Sequence, residues 1–264
     1  MSGPQGSSGA GRTPLVLGNW KMNGDAASTR ALLDDLLAAV GAWGPSGIEA
    51  GVCPPYPYLG LAAQRLAGTR IGWGAQDVSA HQDGAFTGEV SARMLAEFGC
   101  GWVLVGHSER RTLCGETDAD VARKSERALA AGLVPVVCVG ETRGERESGA
   151  AEAVLGRQVD AVSDVLRGAG GRFVIAYEPV WAIGTGLTAT PDQAQAAHAF
   201  IRARLAQRGI VEAPAVRLLY GGSMKPGNAA ELLARPDVDG GLVGGAALVA
   251  ADFTAILQAA AARA

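Results

Sequence analysis

Eight short runs rich in Val, Ile, Leu and Gly recur along the chain, at residues 15–18, 48–53, 70–74, 102–106, 134–139, 173–177, 216–220 and 241–243. Most are continuously apolar and do not alternate with polar residues, the pattern of parallel strands buried on both faces. Helix-like segments separate them at 27–40, 91–98, 119–131, 151–166, 194–207, 228–233 and 251–262. In the clearest of these, Thr190 fits the N-cap, Pro191 the first turn, Gln193 the capping-box partner and Gly209 the stop. Strand and helix alternating in this way leave two architectures, a closed parallel (β/α)8 barrel or an open doubly wound sheet. With 264 residues and no internal Pro or Gly linker, residues 12–264 read as one domain.

The position of the polar residues favours the barrel. Just beyond successive runs come Asn19 and Lys21, Gln76, His107, Glu141, Glu178, Ser223 and the pair Gly244 and Gly245. In a barrel the carboxyl ends of all strands converge on one face, whereas in an open sheet they spread along an edge.

Composition excludes several classes of function. A net charge of -3 argues against nucleic acid and membrane surfaces as partners, because either needs a basic face. No stretch approaches 18 unbroken apolar residues, so no transmembrane helix is expected. Cys53, Cys100, Cys114 and Cys138 show no metal-ligating or redox spacing and read as reduced cytosolic thiols. Residues 1–11 are mostly Ser and Gly without an apolar core, which predicts a disordered tail and not a signal peptide.

The chemistry concentrates at strand ends. Glu178 closes the sixth run and is followed by Pro179 and then Val180, Trp181, Ala182, Ile183, Gly184, Thr185 and Gly186, an apolar segment with two glycines. A carboxylate beside a flap that excludes water suits proton abstraction from a weak carbon acid; the alternative is a buried turn with a surface Glu. Lys21 is one of three lysines among 23 basic residues, so a compact ammonium stands where the chain otherwise uses arginine. It can serve a phosphate or a developing oxyanion, or be a surface lysine.

His107, with Ser108 as the expected N-cap of a following helix, can donate to a carbonyl oxygen; Glu109 and Arg110 read as structural ion-pair residues. Gly221, Gly222 and Ser223, then Gly244 and Gly245, end the last two strands and let backbone N–H groups approach an anion. A helix starting after Gly245 would point its positive end there. Phe86 occupies the centre of a polar loop, where it either folds back or docks in a partner; a partner is expected.

These motifs resemble the triosephosphate isomerase family over nearly the whole chain after residue 12. The matching segments are NWKMN at 19–23, GAFTGE at 84–89, GHSERR at 106–111, CVGET at 138–142, AYEPVWAIGTG at 176–186, YGGS at 220–223 and LVGGA at 242–246. The resemblance implies a TIM barrel that interconverts dihydroxyacetone phosphate and D-glyceraldehyde 3-phosphate without metal or cofactor. By the same resemblance Glu178 is the base, His107 the electrophile, Lys21 and Asn19 their support, and Gly184, Ser223, Gly244 and Gly245 the phosphate donors. It also implies a homodimer in which the 84–89 loop, with Phe86 and Thr87, enters a second subunit.

Three positions depart from the family pattern: Asp77 for a common Asn, Met224 for a smaller residue, and Ala247 for a frequent Ser. An isomerase of a longer sugar phosphate such as a tetrulose phosphate would share every residue named. A non-enzymatic phosphate-binding barrel would have no use for Glu178, His107 and Lys21 together.

Overall fold

The computed structural model describes residues 11–43, 47–184 and 187–263. Eight parallel strands close on themselves in chain order: β1 (Leu15–Asn19), β2 (Glu49–Cys53), β3 (Ile71–Ala75), β4 (Trp102–Val105), β5 (Val134–Val139), β6 (Val174–Tyr177), β7 (Arg217–Tyr220) and β8 (Gly240–Val243). The closing contact pairs Leu15 with Gly240 and Gly18 with Val243, so the open-sheet alternative is excluded. Each strand lies within about one residue of its apolar run, because both of its faces are buried. Alternate residues split into two cores. Leu17, Leu104, Val136, Val174, Ala176 and Leu219 fill the barrel interior. Their neighbours Val16, Val103, Val137, Ile175 and Leu218 pack outward against the helices.

The long helices match their sequence signals: α1 (Ala26–Trp43), α5 (Asp118–Ala130), α7 (Ala151–Arg167), α8 (Pro191–Gln207) and α10 (Ala250–Ala261). On α8, Thr190 and Gln193 form the reciprocal capping box with Pro191 in the first turn. Helices α3 (Ala92–Glu97) and α9 (Pro226–Leu233) also lie where expected. A helix expected after His107 is α4 (Ser108–Cys114), while two short helices have no clear sequence signal, α2 (Leu59–Leu66) and α6 (Arg143–Glu147). Residues 1–10 of the expected tail lie outside the described residues.

Candidate active site

Register brings the rim together. Tyr177 pairs with Val139 on one side and Tyr220 on the other, so Glu178 emerges between Gly140 and Gly221. Both glycines are obligatory: a Cβ on Gly140 would lie 1.7 Å from the Glu178 carbonyl oxygen, and one on Gly221 would lie 2.8 Å from Glu178 Cγ. Gln158 of α7 locks this corner by accepting from the Gly140 N–H and donating to its carbonyl.

Glu178 is 2 % exposed. Its Oε2 accepts from the backbone N–H of Ser108 at 2.9 Å. Its Oε1 lies 3.0 Å from His107 Nε2, yet out of hydrogen-bonding alignment, so that oxygen is buried without a hydrogen bond. A buried carboxylate oxygen without a donor is costly, and such a cost persists where a substrate proton will meet it. Beneath it, burial first and the Glu178 charge second push the Cys138 thiol well above its ordinary range, so the thiol stays protonated and does not compete as a nucleophile.

The cap of α4 differs from expectation. His107, not Ser108, is the N-cap: its Nδ1 accepts from the Glu109 N–H at 3.2 Å, while Ser108 is the first helical residue. Serine is among the preferred caps, and a histidine performs the same task here. The swap carries chemical information. A ring that accepts at Nδ1 carries its proton on Nε2, which faces the pocket. Glu109 and Arg110 do form ion pairs, though with separate partners. Glu109 takes Lys21 Nζ at 2.5 Å, and Arg110 joins Asp77 and Glu116.

Lys21 has φ of 50°, the single non-glycine residue with positive φ among the described residues. Gln76 donates to its carbonyl at 2.8 Å, and Asn19 Oδ1 accepts from its N–H at 3.0 Å. These bonds hold a strained backbone, which directs the ammonium toward the pocket mouth. Asn19 lies in β1 beside Cys53 and is buried.

Asn19, Lys21, His107, Glu178, Gly184, Ser223, Gly244 and Gly245 all line one cavity of about 520 Å³. Its size suits a small phosphorylated metabolite. Of the flap, Val180–Ala182 forms a single 3-10 turn, Ile183 and Gly184 complete the described part, and Thr185 and Gly186 lie outside the described residues. Ser223 donates its hydroxyl to the Ala182 carbonyl at 2.9 Å, tying the flap to the β7 turn. Trp181 donates to the wholly buried Glu141 at 2.9 Å, and the Tyr177 phenol donates to the same oxygen at 3.0 Å. In the sequence Glu141 is a rim residue with no assigned task; its partner Trp181 lies 40 residues away in the flap.

One expectation at the rim changes. After Gly245 comes one 3-10 turn (Gly245–Leu248), and α10 begins only at Ala250, so no long helix axis starts at the second glycine pair. Phe86 partly folds back: its ring stacks on His81 at 4.1 Å and remains 41 % exposed. The departures fit locally. Met224 is buried where a Cβ on Gly241 would come within 2.7 Å of its sulfur, so the larger residue occupies space that the glycine leaves. Burial raises the Asp77 carboxyl above its ordinary value, and Lys124, 2.6 Å away, opposes that shift. Ala247 is buried against Gly18, with its N–H bonded to the Gly244 carbonyl.

The model of the family described as triosephosphate isomerase matches residues 14–260. The chain belongs to the triosephosphate isomerase family. A triosephosphate isomerase of Thiobacillus denitrificans is 57 % identical over 251 residues, covering 95 % of this chain and 99 % of the relative. Those of Bordetella pertussis and Cupriavidus necator are 59 % and 57 % identical, covering 94 % and 93 % of this chain and 98 % of each relative. Family membership and the closed barrel with its rim of Asn19, Lys21, His107 and Glu178 point to the same chemistry.

Proposed function

We propose that this chain interconverts dihydroxyacetone phosphate and D-glyceraldehyde 3-phosphate through an enediolate, with Glu178 as the base. The observation that carries this reading is the buried, unbonded Glu178 Oε1 in the same cavity as His107 Nε2 and Lys21. Glu178 leaves the Ser108 N–H, removes a proton from C1 and returns it at C2. As charge develops on the substrate oxygens, the His107 Nε2–H and the Lys21 ammonium stabilise it, the ammonium exchanging Glu109 for the substrate. Asn19 orients Lys21. Neither metal nor cofactor has a step to perform.

The phosphate sits on backbone N–H groups of Gly184, Ser223, Gly244 and Gly245. Because Gly184 belongs to the flap, the phosphate itself draws Val180, Trp181, Ala182, Ile183, Gly184, Thr185 and Gly186 over the base. Closure excludes water, which strengthens every electrostatic contact and protects an intermediate prone to expel its phosphate. Residues 12–264 act as one catalytic barrel, with 1–11 a tail. The enzyme works as a cytoplasmic homodimer, for which Phe86 and Thr87 supply the contact; the 95 % exposed Met22 offers apolar surface beside Lys21.

A coupled assay on protein freed of host enzyme tests the reading. Turnover of dihydroxyacetone phosphate is expected, with kcat/KM above that of a competing tetrulose phosphate. A reversed preference would transfer the assignment to the longer sugar, and binding of 2-phosphoglycolate without turnover of either would leave a phosphate-binding barrel.

A further inference from the structure

Arg146 touches the flap anchor from outside the pocket. It lies on α6, a five-residue helix held by a reciprocal capping box between Thr142 and Glu145. Its Nη1 donates to Glu141 Oε1 at 3.0 Å, the oxygen that also accepts from Trp181 and Tyr177. Its guanidinium carbon stands 4.9 Å from the centroid of the Trp181 ring. One cation therefore meets Trp181 twice, across its face and through the carboxylate that receives its N–H. Glu141 is wholly buried, and Arg146 is the cation that faces it beside the neutral donors Trp181 and Tyr177. The other oxygen of Glu141 has no hydrogen bond, which leaves the shared Oε1 to carry the whole anchor.

We propose that Arg146 is a positioning residue for the isomerase reaction, fixing Trp181 so that the flap hinges as a unit over Glu178. This rests on the functional reading above. A guanidinium is suited to the task because a planar, weakly hydrated cation can stack on an indole and bond a carboxylate together. Its side chain is 31 % exposed and lines a groove with Gln193 and Phe200 of α8, so it is not a core packing element.

A loosened flap has a chemical signature. When water and motion reach the enediolate, its electron pair re-forms a carbonyl as the C–O bond to phosphate breaks. Inorganic phosphate leaves, with an enol that tautomerises to a three-carbon ketoaldehyde. Inorganic phosphate released per isomerisation therefore reports closure separately from the amount of folded enzyme.

The experiment compares the parent with Arg146→Met and Arg146→Lys in the full chain, measuring kcat, KM, phosphate release per isomerisation and Tm. For Arg146→Met, kcat is expected to fall about tenfold with KM within about threefold, and the phosphate-release ratio to rise. Arg146→Lys, which keeps the cation, is expected to fall between the parent and Arg146→Met in both quantities. An unchanged ratio in Arg146→Met overturns the proposal, whether Tm falls or not, because a structural loss would lower both products together. If Arg146→Met does not fold, the lysine variant decides alone: a raised ratio supports positioning and a parental ratio overturns it. A parent that does not isomerise triose phosphates would instead sink the functional reading.

Discussion

Two buried carboxylates stand at opposite ends of the barrel, and their surroundings differ. Asp239, just before β8 at the amino end, accepts from Arg12 at 2.8 Å, Arg202 at 2.8 Å, Arg263 at 3.2 Å and the Leu218 N–H at 3.0 Å. Glu178, just after β6 at the carboxyl end, has one backbone donor and an oxygen left without a bond. A fully served charge is fixed and inert, joining strands and helices at the closure of the barrel. An under-served one keeps a free acceptor and room to move. The difference separates a carboxylate used for stability from one used for chemistry.

The largest expected effect lies at the carboxyl end. Glu178→Gln should lower turnover by about 10² to 10⁴, the loss typical of a general base, while Tm holds or rises. Loss of stability without loss of turnover would reverse the roles assigned to the two ends. At the amino end, Asp239→Ala takes one carboxylate from Arg12, Arg202 and Arg263, of which Arg202 keeps Asp237, and should cost up to about 3 to 5 kcal/mol in denaturant unfolding with turnover per folded molecule preserved. A mild cost would show that the arginines are served by their other carbonyl partners.

A smaller effect involves pH. His198 of α8 is wholly buried between the two ends, with Nδ1 3.0 Å from the Asp237 carbonyl and its ring edge-on to Tyr177. Burial, the largest cause, lowers its pKa from 6.5 to about 4, so the native state refuses a proton that the unfolded chain accepts. Stability should therefore decline as pH falls from about 6.5 toward 4, by up to about 3 kcal/mol from this group. His198→Gln should flatten that part of the Tm profile; matching slopes would assign the acid sensitivity to carboxylates.

The barrel was readable because strands buried on both faces must be apolar at every position, and because every strand but β2 is closed or followed by a polar or glycine residue on one rim. Long amphipathic helices with caps, such as α8, were equally plain. Short helices α2 and α6 were not, since too few residues express a period. Glu178, His107 and Lys21 could be singled out by place and rarity. The anchor of Glu141, Trp181 and Arg146 could not, because residues 141–146 meet a segment 40 residues away and no local pattern announces it. The choice of His107 over Ser108 as cap depends likewise on where the chain enters α4.

Isomerisation of dihydroxyacetone phosphate in D2O, followed by proton NMR, tests proton transfer by Glu178 most directly. A carboxyl proton exchanges with solvent, so part of the D-glyceraldehyde 3-phosphate should carry deuterium at C2, and Glu178→Gln should form almost none of either product. Product formed at the parental rate by Glu178→Gln, or product free of deuterium throughout the reaction, would contradict a base at that position.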